Sequence, residues 1–89
     1  MKIRDIDWSC ESSATRHGYP TEEIEGVFLG SSPKYVKTLE LGVYMLLGKS
    51  KDDNLLEIFY RVTEKNEILV FHCMAMREKF RKLYLKRSK

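Results

Sequence analysis

Two histidines and several arginines are the side chains of this sequence best suited to chemistry. Metal-free cleavage of RNA requires that the 2′-hydroxyl lose a proton, that the leaving oxygen gain one, and that charge on the phosphate be stabilised. Histidine exchanges protons near neutral pH, and the forked guanidinium of arginine matches two phosphate oxygens. The residues of these types that we consider are His72, Arg61, Arg77, Arg81, Arg16 and His17. Together they predict an anion-binding site that can transfer protons.

Each candidate also has an ordinary structural interpretation. His72 lies in the apolar run Ile68–Met74, where a histidine can simply be a packed and hydrogen-bonded side chain. His17 precedes Gly18 and could interact with the carbonyl end of a helix. Arg61, near the end of a predicted strand, is by default a solvated charge. The residues alone leave both interpretations open.

Basic charge is concentrated at the C-terminal end of the chain. From Arg77 to Lys89 there are seven basic residues and one acid, which leaves nine of the sixteen basic and twelve of the thirteen acidic residues for the remainder. Arg77 and Arg81 are four residues apart, so a helix would bring two like charges to one face at a cost in repulsion. This asymmetry predicts a polyanion or an acidic protein as partner, with a solvated helix face as the alternative.

No pattern typical of a metal-dependent or nucleotide-dependent enzyme is present. His17 and His72 lie far apart in the sequence, and neither has a cysteine or second histidine at metal-ligand spacing. The sequence also lacks a phosphate-cradling glycine loop and a nucleophile elbow. We therefore expect no metal and no cofactor. No stretch approaches the roughly 18 apolar residues of a membrane span, and the N-terminus is not typical of a signal peptide, so we expect a cytoplasmic protein.

Hydrophobic periodicity predicts one α+β domain over residues 1–89, with helices covering one face of an antiparallel four-stranded meander. A weakly strand-like N-terminal segment precedes two short helices, and a basic amphipathic helix ends the chain. The predicted N-terminal strand and first helix cover residues 2–7 and 10–17. The predicted second helix is capped by Thr21, begins at residue 22 and is ended by Gly30. The predicted meander strands and last helix cover residues 35–39, 42–47, 55–62, 67–73 and 76–86. His72, Arg77 and Arg81 fall where the last strand passes into the last helix, and we expect the working surface there.

Several segments, in their order and spacing, are similar to one known family. Asp7-Trp8 followed by Arg16-His17-Gly18 resembles its opening tryptophan and its Lys/Arg-His-Gly step, and residues 21–28 are similar to its second helix. Residues 44–54 resemble a strand that leads into an Asp-Gly turn. Residues 72–84 are similar to a Ser/His-Ala-Arg-x-Met/Ala segment and a Glu-Arg-rich helix that ends in tyrosine. The family is BrnT, a group of small bacterial toxins within the RelE-like ribonuclease superfamily.

This resemblance implies a RelE-like fold and a toxin of a type II toxin–antitoxin system. Such a toxin is a metal-independent endoribonuclease that inhibits translation and is neutralised by a cognate antitoxin. The implied catalytic residues are His72, Arg61 and Arg77, and the implied RNA-binding residues are Arg16, His17, Arg81 and Lys82. The expected partners are RNA and the antitoxin, with a homodimer and a toxin–antitoxin hetero-oligomer both left open.

One position departs from the family pattern. Where the family usually carries an arginine after Ser/His-Ala, this chain has Met74, and a thioether cannot bind a phosphate. Either Arg77 or Arg61 supplies the missing charge, or the chain is catalytically silent. The alternative function is therefore a BrnT-like binding protein that engages RNA or an acidic protein.

Overall fold

The described part of the chain folds into a five-stranded sheet with one helix packed on each face. The computed structural model describes residues 8–10 and 18–87. Its elements are β1 (Trp8–Cys10), α1 (Thr21–Leu29), β2 (Tyr35–Glu40), β3 (Val43–Lys49), β4 (Leu55–Val62), β5 (Ile68–Ala75) and α2 (Glu78–Arg87). The α+β class and the four-stranded antiparallel meander are confirmed. Among the described residues, neither helix is long and apolar enough to cross a membrane.

Four strands form the meander, and a fifth adds to its edge. The strand order is β1-β5-β4-β3-β2, and β1 runs parallel to β5 with Trp8 opposite Ile68. The predicted helix over residues 10–17 is wrong at Cys10, because that residue pairs with Val70 in the sheet. The rest of that helix and the strand predicted over residues 2–7 lie outside the described residues.

Helix α1 begins one residue earlier than predicted. The N-cap is Pro20 rather than Thr21, because the carbonyl of Pro20 already accepts hydrogen bonds from the amides of Glu23 and Ile24 at 3.0 and 3.3 Å. Acidic residues occupy the first turn, where the helix dipole favours negative charge. The predicted end is confirmed, since Gly30 has left the helical conformation.

Two predicted boundaries within the meander are wrong by a few residues. Gly42 was placed in the second predicted strand, but it lies in the β2–β3 turn with φ of 76°, a conformation that glycine adopts without strain. Strand β3 instead continues through Gly48, where an added Cβ would lie 2.7 Å from Cγ1 of Val27. A glycine at this position therefore allows α1 to approach the sheet closely.

The boundary between β5 and α2 also differs from the prediction. Strand β5 continues to Ala75, and the amide of Met76 donates to the carbonyl of Leu55 at 2.9 Å. Helix α2 therefore begins at Glu78 rather than at Met76. Met76 and Tyr84 are nevertheless buried, as the predicted apolar stripe requires.

The two described helices lie on opposite faces of the sheet, so the prediction that the helices cover one face is wrong. Successive residues of a strand point to opposite faces. In β3, Leu46 packs in the cluster that contains Ile24 of α1, whereas Met45 and Leu47 pack in the cluster that contains Tyr84 of α2. The physical reason is visible in β3 itself, where residues 45–48 are all buried and both faces need cover.

Candidate functional site

A β-bulge in β5 gathers aromatic and basic side chains on the sheet face that carries α2. Phe59 pairs with His72 and Tyr60 pairs with Val70, so Phe71 is the extra residue. Although neighbouring strand residues normally point apart, the rings of Phe71 and His72 both contact Phe59, with ring centroids at 6.4 and 4.6 Å. The bulge therefore turns two successive side chains toward the same face, as bulges beside binding sites often do.

Glu57 is the centre of a hydrogen-bond network next to these rings. Its side chain is completely buried. Arg77 donates its backbone N–H and its Nε to Oε1, both at 3.0 Å, and its Nη2 to Oε2 at 2.7 Å. Nε2 of His72 lies 3.2 Å from Oε2. One buried carboxylate therefore holds both a predicted proton-transfer residue and a predicted phosphate ligand.

The network fixes the ionisation of its members. Burial opposes ionisation of Glu57, but the hydrogen bonds from Arg77 and His72 together outweigh burial and hold the pKa of Glu57 below its ordinary value. The hydrogen bonds to Glu57 raise the pKa of Arg77, which stays protonated. Because an ionised carboxylate only accepts, Nε2 of His72 is the donor, and in the neutral ring Nδ1 carries the lone pair. The bond to Glu57 therefore orients the imidazole ring of His72.

The bond to Glu57 reduces the electrostatic field that Arg77 offers to an outside anion. Two of its three guanidinium nitrogens donate to Glu57, and the charges of the two side chains balance. The side chain remains 44% exposed, with its guanidinium 5.2 Å from the ring centroid of Phe80. Arg77 can therefore still contact a ligand, but with weaker attraction than an unpaired arginine.

Arg61 extends the aromatic group toward solvent. It is exposed, and its guanidinium lies 5.2 Å from the ring centroid of Phe71. Arg61, Phe71, Phe59 and His72 thus form one connected set of side chains, which we call the β4–β5 patch. Phe59, Phe71 and His72 are half-buried, so their rings are accessible from this face. The patch combines a cation, flat aromatic surfaces and an imidazole.

Met74 occupies a central position beside the network. It pairs directly with Glu57 across the β4–β5 ladder, and as the second residue after His72 it points to the same face. An arginine at this position would reach the face that carries His72. The departure noted in the sequence therefore falls next to the candidate site.

The remaining predicted residues lie elsewhere. Arg16 and His17 are outside the described residues. Arg81 and Lys82 are exposed on α2. Arg81 lines an open groove of about 630 Å³ that is also lined by Lys49 and Leu55, and no member of the Glu57 network lines this groove. Arg77 and Arg81, which are four residues apart, therefore lie in different settings, Arg77 in the Glu57 network and Arg81 at the groove.

The residue that sequence reasoning missed is Glu57. It is a single acidic residue within the apolar stretch Leu55–Phe59. A charge in such a strand must be paired if it is buried, and this requirement was the available signal. Its partners could not be read from the sequence, because Arg77 is twenty positions away.

Comparison with known proteins finds no matching family model, no similar curated protein and no similar solved structure. Among residues 18–87, no group of three or more His, Cys, Asp and Glu side chains is placed to hold a metal ion. Function is therefore argued from the side chains of the candidate site.

Proposed function

We propose that this protein is a metal-independent endoribonuclease that acts as the toxin of a type II toxin–antitoxin system. The observation that carries the proposal is the setting of His72. An ionised, buried carboxylate orients its ring, and the β4–β5 patch places an exposed arginine and two aromatic rings beside it. A proton acceptor for the 2′-hydroxyl and a cation for the phosphate meet two of the requirements of metal-free RNA cleavage, and the rings offer stacking surfaces for bases.

In the proposed reaction the RNA supplies its own nucleophile. Nδ1 of His72 accepts the proton of the 2′-hydroxyl as the 2′-oxygen attacks phosphorus. The bond from phosphorus to the 5′-oxygen breaks, and that oxygen takes a proton from water. Arg61 and the guanidinium nitrogen of Arg77 that does not donate to Glu57 stabilise the charge on the phosphoryl oxygens. The products are a 2′,3′-cyclic phosphate and a 5′-hydroxyl.

Binding of RNA on the patch would use stacking and charge together. Unpaired bases stack on aromatic side chains, so the half-buried rings of Phe71 and Phe59 suit a single-stranded segment. The exposed basic residues of α2, among them Lys82, add attraction for the phosphate backbone.

The toxin role and the RelE-like fold rest on the resemblance of the motifs in their order and spacing. A small α+β domain that ends in a basic helix is compatible with both. The proposed partner is a cognate antitoxin that covers the basic surface.

The experiment compares purified wild type and His72→Ala on RNA in the presence of EDTA. Lys37→Ala, an exposed basic residue on β2 at the far edge of the sheet, is the matched control. We expect wild type and Lys37→Ala to release fragments with 2′,3′-cyclic phosphate ends, and His72→Ala to bind RNA without cleaving it. Induced expression in a bacterial host should then arrest growth for wild type and Lys37→Ala but not for His72→Ala. Cleavage that persists in His72→Ala would refute the mechanism.

A second candidate is a catalytically silent protein that binds RNA or an acidic protein. The salt bridge between Arg77 and Glu57, together with Met74 in place of an arginine, favours it. RNA binding without cleavage by the wild type, abolished by Arg61→Glu and unaffected by His72→Ala, would identify this candidate.

A further inference from the structure

A second buried carboxylate lies on the opposite side of the sheet, where α1 meets the β3–β4 turn. Glu23 is in the first turn of α1 and is buried. Its Oε1 accepts hydrogen bonds from Oγ of Ser50 at 2.6 Å and from Nδ2 of Asn54 at 2.8 Å. Both donors belong to the β3–β4 turn, so Glu23 joins the turn to the helix.

The other oxygen of this carboxylate is not satisfied. Oε2 of Glu23 is buried and has no hydrogen-bond partner among the described residues. A buried polar atom without a partner is costly and calls for an occupant. The exposed carboxyl of Asp52 lies within hydrogen-bonding range of Glu23.

We infer that a proton shared by Asp52 and Glu23 locks the β3–β4 turn onto α1. When Asp52 is protonated, its O–H donates to Oε2 of Glu23 and completes the network. When Asp52 is ionised, two carboxylates face each other and the turn loses this attachment. This inference does not depend on the proposed ribonuclease activity.

The surrounding groups favour placing the proton on Asp52. Hydrogen bonds from Ser50 and Asn54 lower the pKa of Glu23, while the hydrogen bond with Glu23 and its negative charge raise the pKa of Asp52. Lys51 lowers both pKa values, and Asp53 raises that of Asp52. Glu23 therefore remains the acceptor and Asp52 becomes the donor.

Backbone contacts hold Asp52 in position for this role. Its amide and that of Asn54 both donate to Oγ of Ser50, at 3.3 and 3.2 Å. The same turn contributes Asp53 and Asn54 to the groove that Arg81 lines. Asp52 is thus the direct sequence neighbour of one wall of that groove.

The sign of the pH dependence follows from the raised pKa of Asp52. Its contribution to stability is fully present below the ordinary pKa of 3.8 and is lost as the pH rises through the folded-state pKa. A permanent donor at this position should remove that loss. Asp52→Asn supplies such a donor, and Asp52→Ala removes the charge without supplying one.

The test measures thermal unfolding of wild type, Asp52→Asn and Asp52→Ala between about pH 4 and 8. We expect Asp52→Asn to have a higher Tm than Asp52→Ala at every pH, by roughly 4 °C. We also expect the Tm of Asp52→Asn to exceed that of wild type by a margin that grows with pH. Equal Tm values for the two variants throughout would overturn the inference.

A cation is the competing occupant, and the same variants distinguish it. Millimolar Ca²⁺ or Mg²⁺ that raises the Tm of wild type but not that of Asp52→Asn would show that a metal, not a proton, joins the two carboxylates, and would also overturn the inference. A carboxyl ¹³C NMR titration provides an independent check. We expect the Asp52 resonance to titrate above its ordinary pKa in wild type.

Discussion

The carboxylate of Glu57 accepts three hydrogen bonds from the side chain and one from the backbone of Arg77. Arg77, which the sequence predicts to bind an external anion, is therefore also the ion-pair partner of a buried carboxylate. This double role links the stability of the β5–α2 junction to the candidate site.

Replacement of Arg77 should destabilise the protein more than replacement of Arg81, which lies outside the Glu57 network. Hydrogen bonds to charged groups contribute about 1.5–3 kcal/mol, and Arg77→Ala would leave the Glu57 carboxylate buried with fewer donors. We expect a loss of about 2 kcal/mol in the free energy of unfolding. Arg77→Lys should lose less stability, because the lysine ammonium can replace one of the guanidinium donors to Glu57.

Urea denaturation followed by circular dichroism measures these losses. Arg81→Ala is the control, since Arg81 is exposed on α2 and its replacement should change stability by less than about 0.5 kcal/mol. Equal effects of Arg77→Ala and Arg81→Ala would contradict the assigned role of Arg77.

Acid should weaken the fold through Glu57. Because its folded-state pKa is lowered, its contribution is fully present above the ordinary value of 4.5 and is lost as the pH falls through the folded-state pKa. Glu57→Gln cannot titrate, so its stability should fall less steeply in this range. Urea midpoints measured from pH 6 downward in about half-unit steps test this. Parallel curves for the two proteins would rule out Glu57 as the titrating group.

Much of the fold follows from the periodicity of the sequence, but the candidate site does not. The meander is visible because its apolar runs alternate with short polar turns, and Tyr84 falls on the correct stripe of α2. The bulge at Phe71 is hidden, since phenylalanine and histidine both suit a regular strand and only pairing with β4 reveals the extra residue. The Glu57 network is hidden for the same reason, because pairing across strands decides which distant residues meet.

Phe71→Ala tests the stacking surface. Base stacking on an aromatic side chain contributes about 1–3 kcal/mol, so single-stranded RNA should bind roughly 10-fold more weakly. Fluorescence anisotropy with a labelled oligonucleotide measures the change. Leu39→Ala, which removes an exposed apolar side chain from β2, should leave the affinity unchanged. A similar loss in both variants would indicate nonspecific damage instead.

Met74→Arg tests whether the missing cation limits the chemistry. The new guanidinium would stand on the face that carries His72 and stabilise phosphoryl charge, so RNA cleavage should accelerate roughly 10- to 100-fold. Met74→Leu is the control for packing. Stronger RNA binding in Met74→Arg without faster cleavage would instead favour the silent binding protein.

Gly48→Ala tests the close contact between α1 and β3. The added methyl would meet Cγ1 of Val27 at 2.7 Å, so overpacking should cost about 2 kcal/mol. Combining Gly48→Ala with Val27→Ala should cost less than the sum of the two single changes, because the second change makes room. Additive losses, measured by urea denaturation, would show that the two positions do not compete for space.

Because α1 and α2 lie on opposite faces, the sheet separates the interior into two compartments, one between the sheet and α1 and one between the sheet and α2. Among the described residues, nine buried apolar side chains lie in the compartment of α1 and four in that of α2, so the second is the easier to open. A void made on one side cannot be filled by side chains from the other. Partial unfolding should therefore begin with α2. Backbone amide hydrogen exchange should be fastest in the compartment of α2, which adjoins His72.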